Sequence, residues 1–386
     1  MVMTQGAAIA DHRIGGIDLG VLGPLEMTVN GTGARLGTPK QRAVLAMLAI
    51  NRNCAVAMDS LIDVVWEEAP PPAARSTVHC YVSNLRGLIS GGGVDPRSVL
   101  AKIPPGYRLV VADNQCDLGR FNAAKASGIH AAASGRFEQA SRHLADALSQ
   151  WRGPALSDLS GKFSFAEAFA RGLQEDRLIV HTCYVEAEIA CGRAHSVIAE
   201  LEALTAENPY YEPVWAQLMS AYYLCERQSD ALETYQRLKK VLADDLGIDP
   251  NLAIKELQRR ILCQEPLDVQ RSASASAEDT VLTLGYNTIR ADGPAAATLV
   301  TTTGNRYRLA GAVTRIGRSA DNDVVLDDPK VSRHHAVIVD TGGAFVITDL
   351  NSANGVYVLG ERIHPSAALG EGHRVRIGGS EFSLAP

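Results

Sequence analysis

The chain has 386 residues, 46% of them apolar and 21% charged, which suits about two to four globular domains and excludes a disordered chain. Its net charge of −6 sums unlike parts, +2 over residues 1–111, −7 over 112–270 and −1 over 271–386, so a nucleic-acid-binding head is not excluded. The apolar run from Ala43 to Ile50 falls well short of the roughly 20 residues of a membrane span, no secretory signal is visible in the first residues, and seven scattered cysteines without a CxxC argue against a disulfide framework or cysteine zinc site and fit a reducing cytoplasm.

Residues 17–36 read as short strands broken by Gly-Pro and Asn-Gly turns. Thr38 and Pro39 then form a helix start, Thr as N-cap and Pro in the first turn, with Val44, Leu45, Leu48 and Ala49 at helical spacing. A second helix starts near Asp59 and stops before Pro70. A third runs from about Ala73 to Ile89 with Val78, Val82, Leu85 and Ile89 as its apolar stripe. Residues 99–111 read as a β-hairpin around Pro104-Pro105-Gly106. From 113 to 265 the chain is helical. GRAHSVIAEL from Gly192 and ERQSDALETY from Glu226 repeat at 34 residues, the period of tetratricopeptide-type hairpins. A third copy, GRFEQASRHL from Gly135, lies 57 residues before Gly192, so a longer helix or an insertion interrupts the array. Residues 266–296, with the small polar run RSASASAED, read as a linker. From 297 to 386 short strands alternate with Gly, Asn and Asp, the pattern of an all-β sandwich.

Three helices followed by a hairpin suggest a winged helix whose third helix enters the major groove. If Val78, Val82, Leu85 and Ile89 face the core, Arg75, His79, Ser83 and Arg86 share much of the opposite face, with Asn84 at its edge. Arg reads guanine bidentately and Asn reads adenine. Lys40, Arg42, Lys102 and Arg108 sit near helix or wing ends, where phosphate contacts are expected. A plain solvated helix face is the commoner meaning of two arginines on a helix; the hairpin behind it tips the reading toward DNA. The motifs GPLE, TPKQRAVLAMLAINRN, SLIDVVWEEAPP, STVHCYVSNLR and PPGYRL, in this order over residues 17–112, resemble the OmpR-type winged helix of SARP regulators (Streptomyces antibiotic regulatory proteins). The resemblance implies binding to direct promoter repeats as a dimer.

The stretches CDLGRF at 116–121 and LADDLGIDPN at 242–251 resemble the bacterial transcriptional activation domain that follows that winged helix, which leaves RNA polymerase open as a partner. Stacked hairpins leave a concave surface. Tyr210, Tyr211, Trp215, Tyr222 and Tyr223 are candidates to line it, although aromatics at helical spacing more often pack inside a repeat.

In the β region three pieces recur in turns: Thr314-Arg315-Ile316-Gly317-Arg318, Ser332-Arg333-His334-His335 and Asp349-Leu350-Asn351-Ser352-Ala353-Asn354-Gly355. Their chemistry is anion recognition: a guanidinium for a charge-assisted bond, a hydroxyl donor and an amide for a peptide backbone. The set resembles a forkhead-associated (FHA) domain. The resemblance implies that Arg318 and Ser332 hold a phosphothreonine phosphate, that Arg333 contacts peptide or phosphate, and that Asn354 fixes the peptide main chain. Gly317, His335 and Gly355 then support the loops. Ala353 departs from the Ser or Thr usual there, and one lost neutral donor costs about 0.5–1.5 kcal/mol. Ser332, His335 and Asp349 also match a hydrolase triad in residue type, but no nucleophile elbow surrounds them. His334 and His335, adjacent on a strand, point to opposite faces and make a poor metal pair.

Winged helix, helical repeats and FHA sandwich in this order resemble the EmbR-type regulators of mycobacteria. The resemblance implies a cytoplasmic, DNA-binding transcriptional regulator that docks a phosphothreonine on a Ser/Thr kinase and is then phosphorylated, with Thr280 and Thr283 beside the linker as candidate acceptors. The rival is a phosphopeptide adaptor without specific DNA recognition. No phosphate-cradling glycine loop, metal-ligand spacing or paired acid–base site points to an enzyme, a cofactor or a metal.

Overall fold

The computed structural model describes residues 16–385 apart from 67–68, 91–92, 94, 285–296, 303, 310–312, 320–321, 341–344, 351 and 364–365. The chain divides into two compact units. One runs up to Gly119 and includes Gly153–Glu167; the other holds Arg120–Arg152 and the chain from Ala168 onward.

The first unit opens with an antiparallel meander of β1 (Ile17–Gly20), β2 (Glu26–Val29) and β3 (Thr32–Gly33). Helix α1 (Pro39–Ile50) starts where expected, the Thr38 hydroxyl accepting from the Gln41 amide at 3.3 Å. Strand β4 (Ala55–Ala57) leads into α2 (Met58–Trp66), and α3 (Ala74–Ser90) buries Val78, Val82, Leu85 and Ile89. Each of those side chains contributes about 1.5–3 kcal/mol by leaving water. A short α4 (Pro96–Val99) precedes β5 (Leu100–Ile103) and β6 (Gly106–Leu109), and β6 lies between β5 and β4. The winged helix is thus complete. The buried carboxylate of Asp117 ties the first strands of this unit to the segment that follows the wing: its oxygens accept from the amides of Val21 and Leu22, both at 2.9 Å, and of Leu118 at 2.7 Å. Residues 153–167, expected within the helical middle, pack here instead. Leu156 donates to the Val21 carbonyl at 3.1 Å, and Asp158 accepts from the Leu25 amide at 2.7 Å.

Helices dominate the first part of the second unit: α5 (Asp117–Ala133), α6 (Phe137–Ser149), α7 (Ser164–Ala190), α8 (Ala194–Glu207), α9 (Glu212–Leu224), α10 (Gln228–Leu246) and α11 (Leu252–Leu262). The three sequence copies coincide with the turns into α6, α8 and α10. Gly135, Gly192 and Glu226 all adopt left-handed φ, at 70°, 78° and 61°. Each is followed by an arginine whose amide reaches back 2.9 Å to the carbonyl of Ala131, Glu188 or Tyr222, closing the preceding helix in the same way. The 27-residue α7, together with the 153–167 segment, accounts for the irregular spacing between the first two copies. Trp215 and Tyr222 lie in the repeat core with Tyr211 and Tyr223 packed against it, so those four aromatics serve packing; Tyr210 alone of the set is exposed.

Much of the expected linker is helical. Helix α12 (Val269–Leu284) packs Ala273 against Phe137 and Ala190, and Gln270 Nε2 donates to the Ala190 carbonyl at 3.1 Å. Alanines four apart let a helix approach its neighbours closely, yet in sequence the run has the composition of a spacer. Thr280 is therefore no exposed linker threonine: it is half-buried in α12, donating to the Ser276 carbonyl at 2.8 Å. The side chain of Thr283 and residues 285–296 lie outside the described set.

The terminal sandwich comprises β7 (Ala297–Thr301), β8 (Arg306–Leu309), β9 (Val313–Gly317), β10 (Val324–Val325), β11 (Ala336–Asp340), β12 (Phe345–Asp349), β13 (Val356–Val358), β14 (Glu361–Arg362), β15 (Ser366–Leu369), β16 (Arg374–Ile377) and β17 (Ser380–Ala385). They form a five-stranded sheet ordered β10-β9-β11-β12-β15 and a six-stranded sheet ordered β14-β13-β16-β17-β7-β8. Leu299, Ile316, Ile338, Ile347, Val356 and Phe382 fill the space between them. The outer face of the five-stranded sheet is buried as well. Gly172 of α7 sits against Val339 and Val346, where a Cβ would meet Val339 at 3.3 Å, and Ser366 donates to Glu175 of α7 at 2.9 Å.

Candidate functional site

Three loops at one end of the sandwich gather the expected anion-binding residues. Arg318 follows β9, Ser332 precedes β11 and Asn354 follows β12. The Arg318 and Ser319 amides donate to the carbonyls of Ser332 and Arg333 at 3.0 and 3.1 Å, which joins the first two loops. Gly317 makes this approach possible, since a Cβ there would stand 2.1 Å from the Arg333 carbonyl oxygen. Asn322, which sequence reading passed over, clamps the same junction: its Nδ2 donates to both the Ser319 and Arg333 carbonyls at 2.8 Å. Asp328 anchors the second loop by accepting from the amides of Lys330 and Gly379 at 2.8 and 2.7 Å, and those bonds hold its carboxyl below the usual carboxylate range.

His335 joins the second loop to the third. It is fully buried. Its Nδ1 accepts from the Ser332 amide at 3.0 Å, and its Nε2 lies 3.1 Å from the Gly355 carbonyl. An amide only donates and a carbonyl only accepts, so the ring is the neutral tautomer with the proton on Nε2. The triad geometry is absent, because Nδ1 takes the Ser332 backbone amide and Asp349 accepts from the Ser352 amide at 2.8 Å.

The groups left facing solvent follow from these bonds. Ser332 Oγ accepts from the Ala353 amide at 3.2 Å, which frees its proton to donate. Asn354 Nδ2 donates to the Lys330 carbonyl at 2.7 Å and keeps its Oδ1 and second N–H. Arg318 and Arg333 are exposed, and no hydrogen bond or ion pair engages the Arg318 side chain among the described residues. Gly355 adopts φ 74°.

The winged helix sorts its candidates differently. Arg75, His79, Ser83 and Asn84 are exposed on α3. Arg75 pairs with Asp59 at 2.7 Å, and Asn84 Nδ2 donates to Gln41 Oε1 at 3.0 Å. His79 Nδ1 lies 2.6 Å from the Tyr107 hydroxyl, a phenol pushed up by burial. Arg86 turns inward: Nε and Nη2 donate to the Leu100 carbonyl at 3.0 and 2.6 Å, fixing the wing to α3. Arg42 likewise pairs with Asp158 inside the unit. These two are spent on structure, contrary to expectation, because each faces an acceptor contributed by chain distant in sequence. Arg108 is half-buried on the central strand β6, while Lys40 and Lys102 are exposed. Lys40 lies over the Trp66 ring at 5.0 Å.

Comparison with known proteins agrees with this architecture. Residues 33–109 match the family "Transcriptional regulatory protein, C terminal", 116–262 the "Bacterial transcriptional activator domain" and 314–378 the "FHA domain". The transcriptional regulatory protein EmbR of Mycobacterium tuberculosis is 57% identical over 380 residues, 98% of this chain and 97% of that protein. The chain belongs to the EmbR family of transcriptional regulatory proteins. The solved structure of Mycobacterium tuberculosis EmbR in complex with a low affinity phosphopeptide superposes with a TM-score of 0.92 at 58% identity, covering 96% of this chain and 98% of that one. The transcriptional regulatory protein MoaR1 of the same organism shares 53% identity over 255 residues, 66% of this chain and 82% of MoaR1. This EmbR relative is therefore a transcriptional regulator built of winged helix, helical repeats and FHA sandwich. Among its described residues no helix is long and apolar enough to cross a membrane.

Proposed function

We propose that the FHA sandwich holds a phosphothreonine of a Ser/Thr kinase between Arg318, Ser332 and Asn354, with Arg333 on the peptide, and that the winged helix binds promoter repeats. The observation that carries the first half is the bond from Ala353 to Ser332 Oγ, which orients the hydroxyl and leaves its O–H to donate beside Arg318, whose side chain has no partner among the described residues. A phosphate dianion asks for such donors. Asn354 suits a peptide main chain, having one donor and one acceptor to spare. The EmbR structure solved with a phosphopeptide supports the assignment. On DNA, exposed Arg75, His79, Ser83 and Asn84 of α3 serve as base or backbone contacts, with Lys40 and Lys102 on phosphates. Two copies on direct repeats, contact between the helical repeats and RNA polymerase, a cytoplasmic setting and a role without turnover complete the reading.

Calorimetry with a phosphothreonine peptide tests the site. Arg318→Ala is expected to cost about 2 kcal/mol or more, since a charge-assisted bond goes unmade; unchanged affinity removes Arg318 from it. A phosphopeptide adaptor without specific DNA recognition is the second reading, favoured by the commitment of Arg42 and Arg86 to internal bonds. A mobility-shift competition across a salt series separates the two. Preference for one sequence supports the regulator, while equal competition by scrambled DNA at physiological salt supports the adaptor.

A further inference from the structure

The two sheets of the sandwich differ in what covers them. The five-stranded sheet lies under α7, whereas the six-stranded sheet turns its outer face to solvent. That face carries five arginines. Val375 and Ile377 of β16 point into the core, so Arg374 and Arg376 point out. By the same alternation Arg306 and Arg308 of β8 point out, and Arg362 pairs across β14 and β13 with outward Tyr357. Arg376 stacks on the Tyr357 ring at 3.8 Å. All five are exposed, and no ion pair engages any of them among the described residues. Glu381, opposite Arg376, is the one acid at an outward position of these strands among the described residues. The segment 271–386 has a net charge of −1, so this clustering is a local arrangement.

The face is also continuous with the phosphothreonine cradle. Arg362 lies against Gly355, where a Cβ would stand 2.4 Å from its Nε, and Gly355 directly follows Asn354. A chain leaving Asn354 thus meets Arg362 first and the β16 pair next. Neighbouring strands are about 4.8 Å apart and an extended chain advances about 3.3 Å per residue, so about eight residues span the sheet from β14 to β8.

We infer that the outer face of the six-stranded sheet docks an Asp/Glu-rich segment of the same polypeptide that presents the phosphothreonine. This rests on the phosphothreonine reading above. Continuity with Asn354 favours a polypeptide over DNA, and a six-stranded sheet is broader than a groove that admits a helix or a two-stranded ribbon. The face supplies selectivity among phosphorylated partners, because the phosphate contacts alone are the same for each of them.

The test uses the full chain and three phosphothreonine peptides: one with about eight acidic residues after the phosphothreonine, one with the same residues before it, and one with neutral flanks. One acidic peptide is expected to bind roughly tenfold more tightly than the neutral one, since an exposed ion pair contributes a factor of about 1.4 to 5 and three are in reach. High salt removes most of that advantage. Arg374→Glu with Arg376→Glu, or the milder Arg374→Gln with Arg376→Gln, erases it and leaves the neutral phosphopeptide bound as before. Equal affinities for all three peptides, or an advantage that survives both double variants, overturns the inference. So does a loss of duplex DNA binding in the variants with the acidic preference intact, which assigns the face to nucleic acid. If no phosphopeptide binds the native chain, or if Arg318→Ala binds all three as the native chain does, the phosphothreonine reading itself has failed and takes this inference with it.

Discussion

Replacing His335 by Ala separates the support of the phosphopeptide loops from their contact chemistry. The imidazole is wholly enclosed and satisfies two backbone groups on different loops, the Ser332 amide at 3.0 Å and the Gly355 carbonyl at 3.1 Å. Alanine leaves both without a partner, at about 1–3 kcal/mol each, with a ring-sized void beside them. The sandwich is expected to lose about 3–5 kcal/mol in a denaturant titration. Affinity for a phosphothreonine peptide falls as well, by about tenfold or more, because fixing even one freed loop residue costs about 1–2 kcal/mol. Arg318→Ala is the matched control, losing affinity and keeping stability, since its side chain is exposed and bonded to nothing among the described residues. A His335→Ala protein that is destabilised yet binds the peptide as tightly as before would refute the positioning role.

Other expectations concern the helical repeats and the start of the chain. Asp117→Ala strands the amides of Val21 and Leu22 and is expected to destabilise the winged-helix unit by about 2–4 kcal/mol in thermal or urea unfolding. Glu226 occupies a left-handed position that its repeat counterparts fill with glycine, so Glu226→Gly is expected to stabilise by about 0.5–1 kcal/mol and Gly192→Ala to destabilise by a similar amount. Burial pushes Glu186 up to about 7, so the folded state binds its proton more tightly than the unfolded chain does. Stability then falls as pH rises from the ordinary carboxylate range to about 7 and levels off above it, with a slope no steeper than about 1.4 kcal/mol per pH unit. Glu186→Gln is expected to flatten that interval in stability curves taken across pH.

The parts of the fold that sequence reveals are those encoded locally. The Thr38 cap, the α3 stripe and the 34-residue offset each depend on neighbours within a turn or a repeat, and the offset reappears between the first residues of α8 and α10. The three anion-binding pieces were legible because turn residues and donors recur at fixed places. What escaped depends on partners far along the chain. Arg42 and Arg86 look like free surface cations until Asp158 and the Leu100 carbonyl are brought to them. Strand β15, with the sequence SAAL, has little intrinsic β preference and is held by pairing with β12. Helix α12 is recognisable only once Phe137 and Ala190 stand beside its alanines. The role of Arg362 depends on its packing against Gly355, and no spacing rule announces that.

Gly172 has a consequence for anyone who would study the sandwich by itself. Its missing side chain lets α7 lie directly on Val339 and Val346, so this sheet is finished by a helix that precedes it by well over a hundred residues. Severing the chain before β7 would strip that lid and bare a row of β-branched side chains, the kind of surface by which excised fragments clump. A soluble excised version would need polar replacements on that flank, or α7 grafted back beside it.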